Sequence, residues 1–141
     1  MRKVIFGISM CLILTNCTGF VIKKNVIANY YLVATDVPED LALSYLASGA
    51  GDNYEDIILS TVCAIGYNSN YIIAKQHPRN FPNPPDTTIA NYYIVPIQVD
   101  KSKSMKGTVI GPLSLDKFNE KYKELNIPKE VVFVDAIKFS K

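Results

Sequence analysis

Two apolar, β-prone arms joined by Asn68-Ser69-Asn70 constrain this chain more than any other stretch. Residues 62–67 (V-C-A-I-G-Y) and 71–76 (Y-I-I-A-K-Q) are apolar at nearly every position. Asn tolerates the left-handed backbone that a tight turn demands, and three-residue loops are common between paired strands. The pattern predicts a β-hairpin covered on both faces, and so one in the middle of a sheet. The first arm carries Cys63, and the only histidine of the chain, His77, follows the second.

With 141 residues, 48% of them hydrophobic and 20% charged, the chain is long enough for one real core and is not of the disordered class. Its formal net charge is +2, but Arg2 and Lys3 belong to a segment expected to be removed, which leaves 13 basic residues against 13 acidic ones. A nucleic-acid binder needs a surplus of Lys and Arg to displace counterions, so that partner class is excluded. Three cysteines in three different settings (Cys11, Cys17 and Cys63) supply no disulfide framework within the domain. Cys63, between Val62 and Ala64, reads as a small buried hydrophobe.

The first residues read as an export signal. Met1-Arg2-Lys3 is a positive start, and residues 4–14 form an apolar run too short to cross a bilayer as a helix. The run ends in Leu14-Thr15-Asn16-Cys17, which resembles the lipobox of bacterial lipoproteins, with Asn16 in place of the usual Gly, Ala or Ser. That resemblance implies a signal peptide over 1–16 and acylation of Cys17 as the first mature residue. Each buried methylene of an acyl chain adds about 0.8 kcal/mol, so two or three chains hold a soluble domain on a membrane stably. Thr18 stands where the enterobacterial sorting rule places Asp for inner-membrane retention, so the outer membrane is the expected address, facing the periplasm or the exterior. Residues 17–28 are read as anchor and tether, and 29–141 as a single domain.

Within that domain residues 29–34 read as a strand stopped by an acidic, Pro38-containing turn, and 41–46 as a second strand, with a helix over 39–47 as the competing assignment. Residues 48–56 read as an acidic loop that lacks the spacing of an EF-hand. The span 91–99 reads as a strand in which Pro96 suggests an edge or a bulge, 108–110 as a short strand, and 131–139 as a last strand. One convincing helix covers 115–126: Ser114 is a good N-cap, Asp116 lies in the first turn, and Pro128 prevents continuation beyond Asn126. The expected fold is therefore α+β, an antiparallel sheet of about six strands with this C-terminal helix packed on it. Leu115, Phe118, Tyr122 and Leu125 form the helix stripe, and with Val62, Ala64, Ile72 and Ala74 they are expected to be mostly buried.

Residues 78–86 (P-R-N-F-P-N-P-P-D) carry four prolines and must form a stiff, exposed loop of the kind that often carries recognition. Arg79, Phe81 and Asn83 are its candidate contact residues. Phe81 is read as plugging the loop onto the sheet, the alternative being a ring turned outward beside Arg79. Lys75, His77 and Arg79 would share a face and hold an anion if the strand ran on, but Pro78 interrupts it. A lone His without further ligands makes no metal site, and no phosphate cradle or other cofactor motif is present, so neither metal nor cofactor is expected. The leading expectation is a non-enzymatic binding module for a protein, peptide or glycan. The alternative is a small periplasmic hydrolase or redox protein using Cys63 or His77.

The order of residues 71–76, Asn91-Tyr92-Tyr93-Ile94, Ile110-Gly111-Pro112-Leu113-Ser114-Leu115 with Phe118, and Lys123-Glu124-Leu125-Asn126-Ile127-Pro128 resembles the domain of unknown function 3997, a group of small bacterial lipoproteins. The resemblance spans roughly 29–134. It implies a secreted, lipid-anchored α+β domain and no assigned activity.

Overall fold

A computed structural model describes residues 19–47, 51, 53–98 and 108–141. The leader, Cys17, Thr18, most of the 48–52 stretch and the polar turn over 101–107 lie outside the described residues. Among the described residues the chain is mostly β with one longer helix, so the α+β expectation holds in outline, but the single six-stranded sheet does not. Two antiparallel sheets form instead, one of four strands and one of five.

The first sheet is a meander of β1 (Ile22–Ile27), β2 (Tyr30–Ala34), β3 (Ala42–Leu46) and β4 (Tyr54–Ile58), with a 3-10 turn at Pro38–Asp40 between β2 and β3. The second has the order β8-β7-β6-β5-β9, from β5 (Val62–Tyr67), β6 (Tyr71–Gln76), β7 (Asn91–Pro96), β8 (Ile110–Leu113) and β9 (Val134–Asp135). Inward side chains of both sheets form one core, with Tyr30, Leu32, Leu41, Leu43 and Tyr45 meeting Val62, Ile65, Ile72, Ala74 and Val95. The period of two along each strand sends the next residues to the opposite face, where Ile73 and Ile94 meet Phe118, Ile127 and Val131 as a third layer. A short helix α2 (Ala136–Ser140) closes one open side of the sandwich, with Ala136 fully buried.

The hairpin β5–β6 is as expected, and β6 is the central strand of its sheet. Its turn works differently: none of Asn68, Ser69 and Asn70 has positive φ. The Asn68 side-chain oxygen instead accepts the N–H groups of Asn70 (2.9 Å) and Tyr71 (2.8 Å), an Asx turn. The helix α1 (Leu115–Glu124) starts where Ser114 Oγ accepts the Lys117 N–H. It ends in a Schellman motif: Asn126, at φ 52°, donates to Lys123 O, and Ile127 donates to Tyr122 O.

Several expectations need correction. Residues 22–27 are not a tether but an edge strand, since Val21 N–H already bonds Ala34 O. The expected loop over 48–56 gives way to β4 from Tyr54 onward, its acidic residues set beside β3 with Ser44 Oγ bonding Asp56 at 2.6 Å. The expected strand over 131–139 pairs only at Val134–Asp135, because Asp135 accepts the Lys138 N–H and caps α2. β7 is an inner strand, with Pro96 at its last position, beyond the reach of β8. Leu115, the first residue of α1, is exposed, and Ala64, Tyr122 and Leu125 are half-buried.

Candidate functional site

Antiparallel meandering gathers three connections and the lead-in to β1 at one end of the sandwich. Ile22 pairs with Ala34, Val33 with Ala42, Leu43 with Ile58, Val62 with Gln76 and Gln76 with Asn91. Residues 19–21, 35–41, 59–61 and 77–90 therefore share that end. Buried Gln76 ties it together. Its Nε2 donates to Leu59 O (2.8 Å) and Ser60 O (3.1 Å), and its Oε1 accepts from Tyr93 Oη (3.0 Å). A buried amide satisfied on both atoms fixes the strand ends on which the loops stand. Nothing in the sequence marks Gln76, because its partners are brought to it only by the pairing of strands.

Four prolines remove four N–H groups from residues 78–86, and three of the remaining donors bond to carbonyls within the segment. Asp86 N–H reaches Pro78 O (2.8 Å), Asn83 N–H reaches Asn80 O (2.9 Å), and Arg79 Nε donates to Asn83 O (2.8 Å). The Asp86 carboxylate accepts both the Thr88 hydroxyl and the Thr88 N–H. These bonds, the hydroxyl first, hold its carboxyl below the usual carboxylate range. The Arg79 guanidinium pairs with Asp40 of the 3-10 turn, a half-buried link between the two sheets' loops. The same guanidinium lies 5.6 Å from the centroid of the Phe81 ring.

Phe81 points outward. It is 82% exposed, which corrects the expectation of a ring plugged onto the sheet. The physical reason is the Arg79–Asp40 pair: once Arg79 turns back to the 3-10 turn, the ring stacks beside it, on the solvent side. Asn83 contributes its backbone carbonyl to Arg79.

Lys75, His77 and Arg79 do not converge. Lys75 Nζ lies 6.0 Å from the Tyr92 ring, and Tyr92 packs in the helix layer. The His77 backbone pairs with Thr61, and its Nδ1 lies 2.7 Å from Ile89 O. A carbonyl can only accept, so Nδ1 is the donor in this contact. No anion site arises from the three.

His77 and Cys63 do share a cavity of about 150 Å³, together with Glu39, Thr61, Val62 and Ile137. Cys63 reaches it because β5 carries an extra residue between Val62 and Ala64, a bulge that re-aims the side chain. The thiol donates to Lys75 O at 3.4 Å. Burial pushes it above the usual thiol range, and the Lys75 charge only partly offsets this. A protonated thiol already engaged with a carbonyl is a poor nucleophile at neutral pH. Cys63 is thus half-buried, and not the enclosed hydrophobe its neighbours suggested.

A second cleft, of about 360 Å³, crosses the outer face of the first sheet between Phe20, Asp40, Tyr54, Asp56 and Ser60. Asp40 belongs to both this cleft and the loop cluster. Among the described residues no group of three His, Cys, Asp or Glu side chains gathers to hold a metal ion, and no helix is long and apolar enough to cross a membrane. A family model described as "Protein of unknown function (DUF3997)" matches residues 27–137. No curated protein and no solved structure matches the chain.

Proposed function

We propose a role for this chain from one premise: it belongs to the DUF3997 family, whose function is unknown. It is a bacterial envelope lipoprotein, held through acyl chains on Cys17, with the outer membrane as its address. It works by binding and not by catalysis. Its contact surface is the end of the sandwich that carries residues 78–86.

The exposed Phe81 ring carries this reading. A large apolar side chain contributes little to folding when it points at water, yet here a proline-stiffened, internally bonded loop holds it there. Stiffness lowers the entropy lost when a loop docks, so such a ring is suited to contact. The raised thiol of Cys63 weighs against the hydrolase or redox alternative, since a nucleophile needs the opposite shift.

The test has two arms in intact cells. Labelling with an alkyne fatty acid is expected for wild type and lost in Cys17→Ser; equal labelling would refute the anchor. A photo-crosslinking residue at position 81 is expected to capture a neighbour, while the same residue at Ser69, on the opposite end, is not. Adducts at 69 and none at 81 would refute the contact surface.

A further inference from the structure

Among the described residues nine large apolar side chains are exposed, and five of them sit on the connections at the loop end: Val21 (49%), Val37 (42%), Leu59 (68%), Phe81 (82%) and Ile89 (49%). They come from four separate stretches of chain, so this rim is not the accident of one loop. Exposed apolar groups scattered singly are ordinary, whereas a ring of them around one end marks an interaction surface.

The same end receives the N-terminus. β1 enters the sheet at Ile22, and the Val21 N–H is already bonded to Ala34 O. Phe20 is tied down as well, edge-to-face on Tyr54 at 5.4 Å. Cys17 is two residues before Gly19, and an extended chain covers at most about 3.6 Å per residue, so its α-carbon lies within roughly 7 Å of that of Gly19. A long tether would let a domain turn any face to the bilayer. A tether of two residues limits that choice.

We propose that the loop end is a membrane-docking surface: with Cys17 acylated, Phe81, Leu59, Val37, Ile89 and Val21 enter the interfacial region of the leaflet that holds the acyl chains. The inference rests on the anchored-lipoprotein reading above and names the lipid surface as the partner of its contact face. The contact is apolar. The loops of this end carry Asp36, Glu39, Asp40 and Asp86, and Arg79 is taken up by Asp40, so there is no basic surplus to favour anionic headgroups. Docking should therefore tolerate salt. The acyl chains supply the affinity, and the rim sets which way the domain faces.

The chain contains no tryptophan, so Phe81→Trp and Ser69→Trp each create a single reporter, at opposite ends and both at exposed sites. The lipidated full mature chain is placed on vesicles of phosphatidylethanolamine and phosphatidylglycerol with brominated acyl chains. Trp at 81 is expected to emit at shorter wavelength, to lose intensity to the brominated lipid and to be shielded from aqueous iodide, at low and high salt alike. Trp at 69 is expected to show none of this. Equal aqueous exposure of both reporters on floating vesicles would overturn the docking and leave the anchor and a soluble partner standing. Quenching at 69 in place of 81 would reverse the orientation and overturn it too. Failure of wild type to float with the vesicles would overturn the anchor, and the docking with it.

Discussion

Two phenylalanines give opposite expectations for the same substitution. Phe118 is 4% exposed in the aromatic layer between α1 and the second sheet, with Tyr92, Tyr122 and Phe133 rings around it. Truncating such a side chain removes transfer energy and leaves a cavity, at a cost of about 3–5 kcal/mol. Phe81 hides less than a fifth of its surface. On a ring that buries about 200 Å² when enclosed, that is roughly 40 Å², or about 1 kcal/mol at 25 cal/mol per Å². The exposed stacking with Arg79 adds about 0.5–1 kcal/mol. Phe81→Ala should therefore cost less than about 2 kcal/mol, against about 3–5 kcal/mol for Phe118→Ala. A domain of this size shifts its melting temperature by about 3–5 °C per kcal/mol. Thermal unfolding of the two variants by circular dichroism should separate them, with Phe81→Ala folded and depressed much less than Phe118→Ala. A fall for Phe81→Ala as deep as that for Phe118→Ala would mean the ring is part of the core, and the outward reading of the loop would be wrong.

Other outcomes follow from single contacts. A Cβ on Gly66 would lie 2.3 Å from Val132 O, a backbone atom that cannot swing aside, so Gly66→Ala should push residues 131–133 off the sheet and lower stability by about 1–3 kcal/mol in a denaturant titration. Cys63 should react with a disulfide reagent at neutral pH more slowly in the folded protein than after unfolding, because partial burial favours the protonated thiol; equal rates would contradict that effect of its setting. The Asp86 carboxyl is depressed by Thr88, so its contribution to stability is present above the ordinary carboxylate pKa and is lost as pH falls through the folded value. Thr88→Val should move the Asp86 titration, followed by carboxyl-carbon NMR, up toward the ordinary range, and the stability gap to wild type should close in acid.

The parts of the fold that were legible are those whose signals are local. The β5–β6 arms are apolar throughout, and α1 carries a Ser cap, an apolar stripe and a following proline, so both could be read from adjacent residues. The first sheet was hidden as a sheet of its own because its outer strands are interrupted. β1 (I-K-K-N-V-I) has three polar residues in a row and a register shift at Asn25/Ile27, and β4 begins Tyr-Glu-Asp beside another shift at Leu43/Ser44. Such irregularities break the period of two on which strand recognition depends. The loop itself was legible from its prolines, but the direction of Phe81 was not, since it follows from Arg79 finding Asp40, a partner 39 residues away. The gathering of five apolar residues around the N-terminal end is likewise a product of topology. No local pattern announces it.

The most direct test of the loop end as the contact surface is hydrogen exchange measured by mass spectrometry on the lipidated chain bound to vesicles, compared with the Cys17→Ser variant in solution. Every stretch of the fold is read at once, and no side chain at the surface is altered. Amides within 36–40, 59–61 and 79–90 should exchange more slowly on the vesicle, while the 67–71 turn at the far end should be unchanged. Protection of the 67–71 turn, or of no stretch at all, would contradict the assignment of the loop end as the face this protein presents to its partner.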